Sequence, residues 1–241
     1  MKNKIDTKKV IVTGASSGIG LAVTKSLLQD GYQVIGVSRS VDSTPLEHDH
    51  FEACSLNLED IDELPTQVNQ LAKQHPDTRS IVFCAGKGQF GCLEEFSFEQ
   101  IRSLMDLNFL SQAYLAKAFL PLFKKRNNGD LIFIGSESAL KGSRKGAIYC
   151  ASKFAVRGMA QALREECSRN NVRVTVINPG MVNSAFFDQL DFEPGEDPEN
   201  YLVPDDVAQA VSYILDSRDL INLDEINLSP LKHVVQKKQD K

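Results

Sequence analysis

The sequence predicts a doubly wound α/β domain, with a parallel sheet of about seven strands and helices on both faces. Short apolar runs alternate along the chain with longer segments of helical periodicity. The short runs are continuously apolar, as expected of strands that are covered on both faces. No linker or internal repeat divides the 241 residues. We therefore expect residues 1–230 to form one domain and residues 231–241 to be a polar C-terminal tail, frayed from Gln236 onward.

The individual elements follow from the apolar runs and from the Gly and Pro residues that end them. Gly31 ends the first predicted helix, and Pro179-Gly180 ends the sixth strand. Pro121 predicts a kink or break near the end of the long third helix. The predicted strands are 10–12, 33–37, 51–56, 81–84, 131–134, 172–177 and 223–228. The predicted helices are 21–30, 61–75, 98–125, 147–170 and 204–215.

Composition and charge exclude several classes of protein. The net charge of −5, from 27 Lys and Arg against 32 Asp and Glu, argues against a nucleic-acid-binding protein. The five cysteines and four histidines show no metal-ligand spacing, so we expect free thiols in a reducing compartment and no metal. The N-terminus lacks the apolar core of a signal peptide, and no apolar run is long enough to span a bilayer. These features predict a soluble cytoplasmic protein without a membrane or nucleic-acid partner.

A glycine-rich loop joins the first strand to the first helix. Its glycines let the backbone turn tightly and let a diphosphate approach the amides at the helix N-terminus. The spacing is G-x-x-x-G-x-G, a weak signal by itself, and an ordinary glycine-rich turn is the alternative. The predicted dinucleotide contacts in this loop are Gly14, Ser16, Ser17, Gly18, Ile19 and Gly20.

The second strand is followed by Ser38 and Arg39, where an acidic residue would otherwise hold the ribose 2′-hydroxyl of NAD. An arginine pairs with a 2′-phosphate that an acid would repel. The sequence therefore predicts NADP(H) as the cofactor, with NAD(H) less favoured. A solvated surface arginine is the alternative interpretation of Arg39.

Four polar residues form the candidate catalytic set. Tyr149 and Lys153 are four residues apart, so they share one face of a helix. A protonated lysine beside a phenol lowers the phenol pKa from about 10 toward neutrality, which suits proton transfer. Ser136 follows the fifth strand, where its hydroxyl can bind a substrate oxygen. Asn108 interrupts an apolar helix, and an ordinary surface position is the alternative for this residue. Each signal is weak alone, but their order behind the glycine loop makes the set specific.

These residues resemble the short-chain dehydrogenase/reductase family, in its short single-domain branch with a Rossmann-like fold. The resemblance covers roughly residues 8–228 and includes Ala85-Gly86, the run Tyr149-Cys150-Ala151-Ser152-Lys153, and Pro179-Gly180.

The resemblance implies a role for each catalytic candidate. Tyr149 is the implied general acid/base, and Lys153 lowers its pKa and holds the nicotinamide ribose. Ser136 orients the substrate, and Asn108 shapes the active-site helix and anchors a water relay to Lys153. The implied cofactor contacts also include Ala85, Gly86, Pro179 and Gly180, and residues 181–203 are the implied mobile substrate lid.

The sequence departs from the family pattern at three places. Cys84 stands where the family often has Asn, which alters the support of the central sheet. Asn57, with Leu58 beside it, replaces an acid that meets the adenine, although the Asn carbonyl can still accept from the adenine amine. The Gly-Gly ending after the last strand is absent, which puts the usual C-terminal subunit contact in doubt.

The predicted reaction is hydride transfer between NADPH and a small carbonyl compound or secondary alcohol, with reduction favoured. One alternative is a 3-oxoacyl-carrier-protein reductase, whose acidic partner would need Lys141, Arg144 and Lys145 as a basic patch; a solvated loop is the plainer interpretation of these residues. Another alternative is a non-catalytic dinucleotide-sensing regulatory protein, against which the complete catalytic set argues.

Two questions stay open at the level of sequence. The predicted lid carries aromatic residues, which favour an apolar wall, and five acids that face either the pocket or solvent: Asp188, Asp191, Glu193, Glu196 and Asp197. A stripe of small residues either packs on the protein's own sheet or, as the resemblance implies, forms the seam of a homodimer or homotetramer: Ala151, Ala155, Gly158 and Ala162.

Overall fold

The computed structural model describes residues 8–39 and 46–238, which fold around a central sheet. The strands are β1 (Lys9–Thr13), β2 (Gln33–Ser38), β3 (Phe51–Ser55), β4 (Ser80–Phe83), β5 (Gly129–Ile134), β6 (Val172–Pro179), β7 (Phe192–Pro194), β8 (Glu225–Leu228) and β9 (Val235–Lys237). The α-helices are α1 (Gly18–Gln29), α2 (Leu64–Gln74), α3 (Phe98–Met105), α4 (Ser111–Arg126), α5 (Ala147–Cys167) and α6 (Pro204–Asp216).

Seven strands form one parallel sheet in the order β3-β2-β1-β4-β5-β6-β8. The chain runs from β1 outward to β3, returns to the other side of β1 with β4, and then continues outward to β8. This confirms the doubly wound, Rossmann-like prediction. The strand order reverses between β1 and β4, and ligands in such sheets bind beyond the carboxyl ends of the strands at that point.

Two apolar layers cover the sheet, one on each face. Along β1, Ile11 packs into the core beneath α2 and α4, whereas Val10 and Val12 pack into the core beneath α1 and α6. Successive side chains of a strand point to opposite faces, so both faces are covered only if every residue is apolar. This accounts for the continuous apolar runs in the sequence.

A buried ionic cluster joins strands at the amino ends of the sheet. The Asp130 carboxylate accepts hydrogen bonds from Arg79 at 2.7 Å, from Arg173 at 2.6 Å and from the Ser80 hydroxyl at 2.6 Å. The side chains of Asp130 and Arg173 are 2% and 7% exposed. A buried charge is tolerated only when it is paired and hydrogen-bonded, and all three donors meet that need here.

The long helix predicted over 98–125 is divided into α3, one π-helical turn (Asp106–Leu110) and α4. The π turn contains Asn108, and such turns often mark functional sites. Of the kink or break predicted at Pro121, the break is wrong, because α4 continues through this residue to Arg126, and the kink stays a prediction.

The C-terminal segment is not frayed at residues 236–238, contrary to the prediction. Here β9 pairs antiparallel with β7, with Phe192 opposite Lys237 and Pro194 opposite Val235. The free edge of β7 supplies main-chain partners that a scan of polarity along the chain does not register.

The small-residue stripe of α5 does not pack on the protein's own sheet. Ala151, Gly158 and Ala162 are exposed and Ala155 is half-buried, and a Cβ added to Gly158 would meet nothing within 4 Å. The first of the two alternatives for this stripe is therefore wrong.

None of the described helices is long and apolar enough to cross a bilayer.

Candidate active site

A cavity of about 670 Å³ opens beyond the carboxyl ends of the central strands. The segment after β4 contributes Gly86, the segment after β5 contributes Gly135 and Ser136, and the end of β6 contributes Pro179 and Gly180. This is the place where a doubly wound sheet is expected to bind ligands.

Three of the four predicted catalytic side chains line this cavity. Ser136, Tyr149 and Lys153 are each less than 10% exposed, yet all three border the same space. The Lys153 ammonium donates a hydrogen bond to the Ile134 carbonyl at 3.0 Å and lies 5.9 Å from the centroid of the Tyr149 ring. The structure thus brings a hydroxyl, a phenol and an ammonium group together.

The electrostatics differ from the sequence prediction of a phenol with a near-neutral pKa. Burial raises the pKa of Tyr149 to about 12, and a hydrogen bond with Ser136 opposes this rise. Burial also lowers the pKa of Lys153 to about 8. Desolvation of the buried phenolate thus acts against the lowering of the phenol pKa expected from Lys153. At neutral pH the phenol is a proton donor beside a lysine that is mostly protonated.

Asn108 lies behind the cavity wall rather than in it. Its side chain is fully buried, accepts a hydrogen bond from the Lys87 amide at 2.9 Å and donates to the Lys87 carbonyl at 3.0 Å. It also donates to the Ser152 hydroxyl at 3.1 Å, which links the loop after β4 to α5. A Cβ at Gly86 would lie 3.2 Å from the Asn108 Oδ1 atom, so glycine permits this close packing. Asn108 is therefore a positioning residue.

The glycine-rich loop turns tightly at the N-terminus of α1. Gly14 and Gly18 have φ of 69° and 50°, the left-handed region that favours glycine. A Cβ at Gly20 would lie 2.2 Å from the Gly14 carbonyl oxygen, whereas one at Gly18 would meet only Ser184, at 3.8 Å. The N-cap residue Ser17 makes no side-chain cap hydrogen bond. Since the first N–H groups of a helix lack partners within the helix, this end of α1 fits an anionic cofactor group.

The remaining predicted cofactor residues lie in different settings. Ser38 ends β2 and Arg39 is exposed just beyond it. Asn57 is exposed, and its Oδ1 atom accepts a hydrogen bond from the Glu59 amide at 3.2 Å. The Leu58 side chain is buried in the core, which leaves only its backbone for a nucleotide contact. Ser16 and Ser17 lie in the glycine loop, and Ile19 lines the cavity.

The turn after β4 is held by a residue that sequence reasoning did not assign. The Thr13 hydroxyl accepts hydrogen bonds from the amides of Cys84 and Ala85, each at 3.0 Å. These bonds tie β4 to β1 where the family often places Asn. Burial raises the pKa of the Cys84 thiol to about 12, so this cysteine lines the cavity as a neutral group.

An aromatic cluster forms the outer part of the cavity. The ring of Phe90 lies 5.0 Å from the rings of both Tyr149 and Phe192, and Phe186 lies 6.0 Å from Tyr149. The sequence identified the lid phenylalanines, but it missed Phe90, which sits in an irregular loop without periodicity. It also missed further lining residues from distant segments: Lys87, Glu137, His233, Val235 and Lys237.

Comparisons with known proteins agree with this architecture. The family model described as short chain dehydrogenase matches residues 8–193. An uncharacterised oxidoreductase of Staphylococcus aureus (strain N315) is 31% identical over 233 residues, covering 93% of this chain and 97% of the relative. The alignment thus includes nearly the whole of both proteins.

Solved structures give the same result. An alcohol dehydrogenase from the archaeon Thermococcus sibiricus, complexed with 5-hydroxy-NADP, is 28% identical with a TM-score of 0.81, covering 91% of this chain and 95% of that one. The closed form of a serine dehydrogenase complexed with NADP⁺ is 26% identical with a TM-score of 0.81, covering 91% and 94%. The chain belongs to the short-chain dehydrogenase/reductase family. It is an oxidoreductase of that family.

Proposed function

We propose that this protein is an NADP(H)-dependent carbonyl reductase in which Tyr149 is the general acid. One observation carries the proposal: Ser136, Tyr149 and Lys153 border one cavity beside a glycine loop that fits a diphosphate. A nicotinamide cofactor, when bound, supplies the hydride. The residues proposed to hold it are the glycine loop, Arg39, Gly86, Lys153 and Pro179-Gly180.

The protein's own side chains handle the oxygen and the proton. Ser136 and Tyr149 donate hydrogen bonds to the carbonyl oxygen, where negative charge develops as the carbon is reduced. Tyr149 then transfers its proton to this oxygen, and the Lys153 ammonium stabilises the phenolate that forms. The raised pKa of Tyr149 keeps the phenol protonated at neutral pH, which is the form that a general acid needs for carbonyl reduction.

Replacement of Tyr149 by phenylalanine tests this assignment. We expect Tyr149→Phe to reduce kcat for NADPH-dependent carbonyl reduction by about 10²- to 10⁴-fold, the range for loss of a general acid. NADPH binding, measured by fluorescence titration, should persist. Tyr213→Phe is the matched control, because Tyr213 is 63% exposed on α6 and should leave turnover unchanged. Undiminished turnover of Tyr149→Phe would remove the phenol from the reaction.

Preference for NADP(H) over NAD(H) is proposed from Arg39, and the NADP-type ligands of the two solved relatives support it. An arginine at the end of β2 can pair with a 2′-phosphate. We expect Arg39→Asp to shift the ratio of kcat/KM for NADPH to that for NADH by about 100-fold toward NADH. A ratio equal to that of the unmodified protein would contradict a role for Arg39.

We also propose that the exposed small-residue face of α5 joins subunits into a homodimer or homotetramer. Small side chains let helices of two subunits approach closely. Light scattering should give two or four times the mass of one chain, and a monomer at micromolar concentration would contradict the proposal.

The 3-oxoacyl-carrier-protein reductase and the dinucleotide sensor stay alternatives, which a substrate panel distinguishes.

A further inference from the structure

The C-terminal segment forms one wall of the cavity. Beyond the β7–β9 pairing, the Gly195 amide donates to the Val234 carbonyl at 3.0 Å and the Lys238 amide donates to the Asp191 carbonyl at 2.9 Å. His233, Val235 and Lys237 all line the cavity. They are spaced two apart, and alternate residues of an extended strand share one face, so this face of the segment is directed at the substrate space.

A loop before α5 contributes another part of the wall, and its lining cations, like Lys237, are exposed and so lie at the cavity mouth, where the cavity meets solvent. Arg144 and Lys145 line the cavity there, and the Lys145 carbonyl accepts a hydrogen bond from the Gly91 amide at 2.7 Å. Within residues 8–39 and 46–238, neither of these side chains nor that of Lys237 has an ion-pair partner. Three cations from two separate segments thus border one opening.

The acids of the lid do not cancel this charge. Of the five acids left open by the sequence, only Asp191 lines the cavity. Glu193 instead accepts a hydrogen bond from Gln236. Gln236 lies between the lining residues Val235 and Lys237 and belongs to the other face of β9. The other lining acid is Glu137, which lies 3.2 Å from His233. Arg144, Lys145 and Lys237 outnumber these two acids, so net positive charge remains at the mouth.

The lining beside the reacting phenol is apolar. The rings of Phe90 and Phe186 lie 5.0 and 6.0 Å from the ring of the buried Tyr149, and Phe192 packs against Phe90 at 5.0 Å. A substrate that extends from Tyr149 to the mouth is in contact first with aromatic rings and then with cations. An apolar body and an anionic end match that sequence of surfaces.

We propose that the carbonyl substrate has an apolar body and carries an anionic group, a carboxylate or a phosphate, which Arg144, Lys145 and Lys237 bind at the cavity mouth. This inference rests on the carbonyl reductase function proposed above. It makes Lys237, in a segment that the sequence predicted to be a tail, a specificity-determining residue.

Two pairs of probes test the charge and its source. The first pair is 4-carboxybenzaldehyde and its methyl ester, which differ in one negative charge. The second pair is acetoacetyl-CoA and the acetoacetyl thioester of N-acetylcysteamine, which share the reacting group and differ in phosphate. We expect the unmodified protein to prefer the anionic member of one pair through a lower KM. A preference in the first pair assigns a carboxylate, and one in the second assigns a carrier phosphate.

Charge-removing variants locate the binding group. Lys237→Gln and Arg144→Gln should each reduce that preference by roughly tenfold, as for a partly exposed charge-assisted contact, through a higher KM for the anionic probe. Lys232→Gln is the control, because it removes a charge from the same segment at a residue outside the cavity lining, where it pairs with Glu199. Equal use of both members of each pair would overturn the proposal. So would a preference that is as large in both variants as in the unmodified protein.

Binding provides a readout that does not depend on turnover. Benzoate should bind the NADPH-loaded protein more tightly than benzamide by calorimetry, and Lys237→Gln should reduce the difference. If neutral and charged probes are turned over equally and benzoate and benzamide bind equally, the proposed anionic group of the substrate is contradicted. The proposed reductase function then still stands. No NADPH-dependent turnover of any probe, together with tighter binding of benzoate, would contradict the reductase function and leave the anion site in place.

Discussion

The central sheet and the lid that covers it are held by different forces. The strands of the sheet are buried on both faces, and a paired ionic cluster around Asp130 joins their amino ends. The lid, residues 181–203, and the C-terminal segment, residues 231–238, are joined mainly by main-chain hydrogen bonds and one short antiparallel pair. Leu231, Val234 and Val235 are 43–82% exposed. The sheet is therefore held by burial on both faces and a buried ionic cluster, whereas the C-terminal segment buries little apolar surface.

The largest expected effect is on the sheet. Asp130→Ala should lower the free energy of unfolding by about 3–5 kcal/mol, because it leaves Arg173 buried without its carboxylate. Urea denaturation measures this change. Asp224→Ala is the control, since Asp224 pairs with Arg164 at an exposed site and should cost less than about 1 kcal/mol. Equal losses in the two variants would show that the Asp130 cluster is no more important than a surface pair.

Removal of the C-terminal segment is the corresponding test of the lid. A chain that ends at Pro230 should keep most of its unfolding free energy, because the lost residues bury little apolar surface. KM for carbonyl substrates should rise about tenfold, since one wall of the cavity is lost, while NADPH binding stays unchanged. A loss of stability as large as that of Asp130→Ala would mean that sheet and lid unfold as one unit.

The smallest expected effect is a shift in the pH profile. The lowered pKa of Lys153, about 8, means that its ammonium form loses its proton as pH rises through that value. Reductive kcat should fall in the same range, because the phenolate of Tyr149 loses its stabilising charge, whereas Tyr149 itself stays protonated to about pH 12. In Lys153→Arg the guanidinium stays charged, so the fall should move to higher pH. If the fall in kcat stays at the same pH in Lys153→Arg, it reports the titration of another group.

Much of the sheet and part of the site could be predicted from the sequence. Ser136, Pro179 and Gly180 directly follow or end apolar strands, so the rule that ligands bind at carboxyl ends locates them. Tyr149 and Lys153 share a helix face by spacing alone. The pKa of Tyr149 could not be predicted, because it depends on how deeply the packed chain buries the phenol.

The lid shows where sequence reasoning reaches its limit. Phe186 and Phe192 were expected near the substrate, but the direction of each lid acid was left open. The answer came from the pairing of β7 with β9, which directs Glu193 toward Gln236 and leaves Asp191 at the cavity. Short strands with mixed polarity have weak local signals, and their register depends on a partner more than 40 residues away.

By itself the sequence determined the doubly wound sheet, the glycine loop at its switch point and the identity of the groups beyond its strand ends. Burial on two faces requires continuous apolar runs, and a tight turn requires glycine. Each of these features can therefore be recognised in a short stretch of the sequence. Only the tertiary structure decided that His233, Val235 and Lys237 line the same cavity as Arg144 and Lys145. Contacts between segments so distant along the chain depend on the path of the whole backbone, which no local pattern encodes.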